Sequence, residues 1–394
     1  GAEYCQMNMT RSTLLFLLIV NLTALGQTRV VEGKVIDNQT GMPVPFASIG
    51  LIGTTRGTSS NMSGQFSIFV QGSNFSMRIS CLGYETQEVT NLPADGPVII
   101  RLKPSVTQLQ EMVIFSKRVN PDKIIRKAFS SVSDNNNTKP FVQKFFYRHY
   151  CKDDSAYGRF IEASVDVWKR KGYRAIQTKA GDKDEMRVTQ LRRTFDKTTT
   201  AQGHVPIAIN SILQADVIGY QANAPNGKFS FYSDVSNLKA DIMKYDFSLE
   251  GITTYDGKEV YHIVYSMPKD SVLTTSGYMP APGSMGSVYI TTEEFAFVKM
   301  IDVKYWDKDT ITTTAFYTPY KGKYYPYHLI RDGKSIARDN STHWFHVELM
   351  ASEILTEEFE EFTGKEPGKY ELLQIPYDSA YWSNNTILKT TPLE

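Results

Sequence analysis

With 394 residues, 41% of them apolar and 22% charged, the chain has ordinary globular composition. It is long enough for two or three domains of roughly 100–200 residues. Its 43 Lys and Arg against 42 Asp and Glu leave a formal charge of +1, which excludes the basic surplus of a nucleic-acid or anionic-membrane binder. Only three cysteines occur, with no CxxC or Cys/His spacing of a zinc site, whereas 23 Tyr and 21 Phe lean the chain towards strands.

Residues 1–26 read as an address. Gly1 to Gln6 precede the candidate start residues Met7 and Met9; Arg11 supplies positive charge, and Leu14 to Val20 is an unbroken apolar run. Ala24-Leu25-Gly26 places small residues where a signal peptidase reads, so export is expected. The apolar stretch is about a dozen residues, short of the ~20 of a spanning helix. No Cys stands at the cleavage point, which argues against a lipid anchor. Cys5 falls in this leader. Cys81 and Cys151 remain, either as a pair or, preferably, as two buried apolar thiols.

Residues 27–104 carry dense turn chemistry. Val30–Ile36 reads as a strand, Asp37–Gly41 as a turn, and Pro43-Val44-Pro45 leads an extended chain into Ala47–Ile52. Asn61–Gly64 is a second turn. Gln65–Val70, Met77–Cys81 and Val98–Leu102 are further short strands, the pattern of a β-sandwich. Gly33-x-Val35-x-Asp37, Thr40-Gly41-x-Pro43, Pro45-x-Ala47-Ser48-Ile49, Gly57-Thr58, Gly64-x-Phe66 and Gly83-Tyr84 together resemble the carboxypeptidase-regulatory-like domain. That domain is a transthyretin-like sandwich of Bacteroidota envelope proteins, including the N-terminal extensions of TonB-dependent receptors. The resemblance implies an adapter, not a catalyst. Asn61 stands where the family usually has Asp.

Residues 105–120 form a linker, and residues 121–394 a second, larger domain. Asn120 and Pro121 suit a helix start, and Ile124, Ile125, Ala128, Phe129 and Val132 recur at helical spacing. Phe145–Tyr150 and Phe160–Trp168 read as strands. Lys179–Lys197 alternates in charge and reads as a solvated loop or hairpin. Val205–Val217 is expected to hold a short helix. Three hairpins follow, around Asp256-Gly257, Thr292–Glu294 and Lys321–Lys323, and Trp344–Ile354 extends them. The expected fold is mainly β, a transthyretin-like sandwich followed by an α+β domain on an antiparallel meander, curved or partly closed. This pattern resembles envelope lipoprotein-carrier and anti-sigma-sensor folds. Tyr377–Trp382, Asn384–Ile387 and Thr391–Glu394 resemble the terminal motif of Bacteroidota proteins that join this sandwich to a domain of unknown function. The strands expected are too few for a single-chain channel.

The search for chemistry finds no catalytic, metal or cofactor set. HExxH, GxSxG, GxGxxG and GxxxxGK[ST] are all absent. His343-x-x-His346-x-Glu348 is the one local cluster; on a strand the two histidines point apart and His346 shares a face with Glu348. The acidic run Glu357–Glu361 reads as a solvated helix face. Tyr317, Tyr320, Tyr324, Tyr325 and Tyr327 gather around one hairpin and suggest a binding surface for glycan or peptide, against cross-strand packing as the plainer alternative. The function expected is a non-catalytic binding or assembly protein, periplasmic or outer-membrane associated, with an envelope protein or glycan partner and no nucleic acid. The alternatives are an envelope hydrolase acting on glycan or peptide, and a periplasmic lipid or lipoprotein carrier.

Overall fold

The structure, a computed structural model, describes residues 28–72, 74–90, 96–105, 119–173, 184–196, 207, 215–216, 218, 242–274, 277–364, 374–375 and 377–384. The leader, most of the 105–120 linker and most of 205–217 lie outside these residues.

Seven strands build the sandwich: β1 (Thr28–Asp37), β2 (Ser48–Leu51), β3 (Gly57–Ser59), β4 (Gln65–Gln71), β5 (Ser76–Ser80), β6 (Gln87–Thr90) and β7 (Val98–Leu102). They form a three-stranded sheet, β4-β1-β7, with β1 and β7 parallel, and a four-stranded sheet, β3-β2-β5-β6. Between them lie Val35, Ile49, Phe66, Met77, Ile79 and Leu102, each almost fully buried. The motif residues act through backbone geometry. Asp37 Oδ1 accepts from the amides of Gln39 and Thr40, both at 2.8 Å, and Tyr84 donates to its other oxygen. The Asn61 side chain accepts from Ser63 and Gln65, so the turn survives without the usual Asp. Gly64 sits at φ +74°, where a Cβ would strike the Val35 carbonyl, so glycine is required there.

Two helices, α1 (Pro121–Ser130) and α2 (Val132–Asn135), open the second part. Asn120 caps α1, its side chain accepting from the Asp122 amide. The strands follow: β8 (Phe141–Asp153), β9 (Ala156–Lys169), β10 (Glu185–Asp196), β11 (Asp246–Tyr255), β12 (Lys258–Met267), β13 (Asp270–Thr274), β14 (Gly277–Ala281), β15 (Gly283–Thr291), β16 (Phe297–Tyr305), β17 (Thr310–Tyr320), β18 (Lys323–Ile336) and β19 (Thr342–Leu355). All but β13 and β14, which pair only with each other, join one ten-stranded sheet in the order β10-β9-β8-β19-β18-β17-β16-β15-β12-β11. Every neighbouring pair is antiparallel, and the sheet stays open. The expected meander is therefore present, with β8 to β10 added beyond its last strand. A short helix, α3 (Ser379–Asn384), ends the described chain; its Trp382 is buried against Phe146 and Met350.

Two expectations need correction locally. Of the two readings of the charged stretch before Lys197, loop or hairpin, the described part is a strand paired antiparallel with β9 and not a solvated loop. Glu185–Asp196 is edge strand β10, with Met186 and Leu191 buried. Two of its charges are absorbed across the ladder, Arg187 pairing with Asp166 at 2.9 Å and Arg192 with Glu162. Glu357–Glu361 is exposed except at Phe359 but irregular rather than helical.

The register aligns one apolar row across the whole sheet: Leu191, Ala163, Tyr147, Leu349, Leu329, Ala315, Met300, Val288, Ile263 and Leu249, one from each strand. Strand alternation sends all ten to the same face. Helix α1 packs on that face, with the Phe129 and Phe297 ring centroids 5.0 Å apart. The sandwich packs on the opposite face. The two faces are called below the helix face and the sandwich face.

Candidate functional site

The sandwich face brings together the residues with chemical capacity. Along one row lie Lys299, Phe316, His328, Met350 and Phe146. One step along the same strands, Arg192, Glu162, Arg148 and Glu348 stand directly opposite one another on β10, β9, β8 and β19. Opposite charges at paired positions form a cross-strand ladder. Arg148 lies 2.9 Å from Glu162 and 3.9 Å from Glu348. Glu162 is 1% exposed and is paired with both arginines.

Against this row the sandwich places β3 and the turn before β2. Ser59 Oγ is 2.5 Å from His328 Nδ1, and His328 Nε2 is 2.7 Å from Glu348 Oε1. The Ser59 amide and the Thr58 hydroxyl both donate to the Met350 sulfur. Phe46 puts its ring 5.2 Å from Phe316 and 5.0 Å from His328, and its carbonyl accepts from the Tyr327 hydroxyl. Phe46 does so at φ +58°, a left-handed conformation that a bulky residue rarely adopts. Arg78 reaches Asp256 at 2.6 Å, and Thr55 reaches Glu353 at 3.1 Å.

Ser59, His328 and Glu348 have the nucleophile–base–acid order of an acyl-transfer relay. The hydroxyl is fully buried, however, and the Met350 sulfur lies 3.0 Å from it. Burial alone would raise Glu348, but hydrogen bonds from His328 and His346 hold it well below the usual carboxylate range. Nε2 of His328 therefore carries a proton for Glu348. In a neutral ring Nδ1 is left to accept from Ser59.

His346 sits on the same face, as the strand reading requires. Its Nδ1 is 2.8 Å from Asp332 and its Nε2 is 3.7 Å from Glu348, while its ring stacks on Tyr150 at 4.6 Å. Burial disfavours the imidazolium, yet the two carboxylates outweigh it and raise His346 to about 9. His343 points away and meets Asp153 at 2.7 Å. Among the described residues no group of His, Cys, Asp and Glu is placed to hold a metal ion. Cys81 and Cys151 are not bonded to each other, and burial pushes the Cys81 thiol up to about 12.

The five tyrosines do not form an exposed face. Tyr317 is fully buried, its hydroxyl donating to Asp216 at 2.8 Å. Tyr324 is buried beside Glu294, Tyr325 against Phe141, and Tyr327 under the Phe46 carbonyl. Each hydroxyl or ring finds its partner inside, which is the cross-strand and core role of such residues. Tyr320 alone is half-exposed; with Tyr327 it lines a cleft of about 350 Å³ between the sandwich and the sheet.

Residues 31–114 match the CarboxypepD_reg-like domain family, so the N-terminal unit carries that domain. Over 100 residues the chain is 31% identical to TonB-dependent receptor P3 of Formosa agariphila; the match spans 25% of this chain and 10% of the receptor. Among solved structures, a LolA superfamily protein from Nitrosomonas europaea is 12% identical with a TM-score of 0.23, covering 61% of this chain and 96% of that one. An outer membrane lipoprotein-sorting protein domain from Vibrio parahaemolyticus is 10% identical with a TM-score of 0.25, covering 61% and 94%. No helix among the described residues is long and apolar enough to cross a membrane.

Proposed function

We propose that this chain is a non-catalytic binding protein of the bacterial cell envelope. In this reading the ten-stranded sheet holds an apolar cargo of acyl-chain type, a lipid or the lipid-modified end of a protein, and the sandwich is a docking adapter. The observation that supports it is the apolar row spanning all ten strands. An acyl chain is recognised by length and continuity of apolar wall rather than by polar anchors, and a row one residue from each strand at about 4.8 Å spacing offers that length. Ala163 and Ala315 are the smallest members of the row, and both are buried in the core beneath α1. Helix α1 lies over this face, so entry requires α1 to lift.

The test is binding of a fluorescent long-chain fatty acid to the delipidated protein, with native mass spectrometry for retained lipid. Wild type is expected to bind, and Ala315→Phe to weaken binding by about tenfold while the fold persists. A wild-type protein that neither binds the probe nor retains lipid would overturn the reading.

The hydrolase alternative has one observation in its favour, the order Ser59–His328–Glu348. A fluorophosphonate that labels Ser59, with loss of labelling in His328→Ala, would establish it; the buried hydroxyl leads us to expect no labelling.

A further inference from the structure

The cleft between the two domains exists because its two walls are unequal. Sheets packed face to face stand about 10 Å apart and are normally filled by side chains from both sides. Here the sandwich wall offers only the short side chains of Ser48, Gly50, Gly57 and Ser80. Gly50 faces open space, with no atom within 4 Å of where a Cβ would stand. The opposite wall is Thr318, Pro319, Tyr320 and Tyr327, continued along β19 by Ala351 to Ile354. The buried Tyr255 hydroxyl sits beside Ser80 and Thr318 without closing a hydrogen bond of ordinary geometry to either.

Of the ionic groups at the rim, Arg78 and Glu353 hold direct ion pairs, and Arg56 stands beside Glu353. Arg78 pairs with Glu88 at 2.8 Å and Asp256 at 2.6 Å, and Glu353 pairs with Lys144 at 2.8 Å. A charged ligand would have to compete with these pairs. An extended peptide would look for an open strand edge, but β3 spends its groups on the sheet: Thr58 and Ser59 bond Met350, and Arg56 bridges Glu353. What the cleft offers instead is short hydroxyls facing an aromatic wall, at a volume near the lower end for small-ligand sites. Hydroxyls exchange donors and acceptors with a polyol, and a tyrosine ring covers the C–H face of a sugar.

We propose that this cleft is a binding site for a neutral saccharide of one or two rings. It lies on the opposite face of the sheet from the apolar row and does not depend on the lipid-binding proposal. The experiment is saturation-transfer NMR on the whole exported chain with maltose, cellobiose and diacetylchitobiose, and with a capped neutral tripeptide as the competing class. At least one sugar is expected to bind. Gly50→Leu, which fills the cleft from an open position, should weaken that sugar by about tenfold, and Tyr320→Ala several-fold. Fatty-acid binding should be unchanged in both variants. The two variants act from opposite walls, so loss of fold in one leaves the other to decide. The proposal is overturned if none of the sugars binds, if binding survives both substitutions, or if the tripeptide binds in their place.

Discussion

His346 carries a charge that the fold itself maintains. Asp332, Glu348 and the Tyr150 ring surround it, and its ordinary pKa near 6.5 rises to about 9. A group raised on folding contributes its stability in full below its unfolded value and loses it as pH climbs through the folded one. The wild-type protein should therefore lose about 2–3 kcal/mol between pH 6.5 and 9 from this site, and His346→Gln should flatten that slope. Urea midpoints at both pH values read the difference. Glu348 runs the other way: its contribution is present above its ordinary value of 4.5 and disappears as acid protonates it. The pairing of His346 with Glu348 was legible from the i, i+2 alternation of a strand. The partners Asp332 and Tyr150 were not, because only strand register brings them in.

At the scale of elements, turn chemistry made the meander readable. Asp256 and Gly257 adopt φ of +51° and +75°, as a tight hairpin requires. Strand β10 stands between loop and hairpin in the sequence for a physical reason. A bulge between Val188 and Gln190 changes the phase, so Met186 and Leu191 reach the same side from positions of opposite parity. Arg187 and Arg192 look solvated in sequence but lie against carboxylates of β9. The tyrosines around the β17–β18 hairpin misled in the opposite sense, since a side chain with a polar tip reads as surface until its acceptor is seen. Gly333 gives a direct test of packing on β18. The Phe345 ring lies where a Cβ at 333 would stand. Gly333→Val is expected to cost about 3 kcal/mol by denaturant unfolding, whereas Gly50→Ala, facing open space, should stay within about 0.5 kcal/mol.

The joint at Ser59, His328 and Glu348 ties the sandwich to the sheet together with Phe46 on Phe316, Arg78 on Asp256 and Thr55 on Glu353. His328 belongs to the sheet and reaches the sandwich through Nδ1, while its Nε2 stays with Glu348 on the neighbouring strand, so the joint couples the unfolding of the two domains. Calorimetry of the wild type should show one transition. His328→Leu leaves Glu348 short of a donor and is expected to cost about 3 kcal/mol, separating the transition into two. Ser59→Ala removes one hydrogen bond and should cost only about 1 kcal/mol without splitting it. Nothing local marks this joint in the sequence, where Ser59 and His328 stand 269 positions apart. A turn residue declares itself through its neighbours, but a contact between domains does not.

That separation has a consequence for biogenesis. Strand β8 has no partner on one side until β19 arrives, and Ser59 must wait for Met350, 291 positions later. A chain emerging end first can complete its sandwich early, but it must keep β8 and β9 from pairing wrongly until nearly the last strand is through. Loop closure over such distances is slow, so the interval between synthesis and the arrival of β19 is when this protein is most exposed to aggregation and proteolysis.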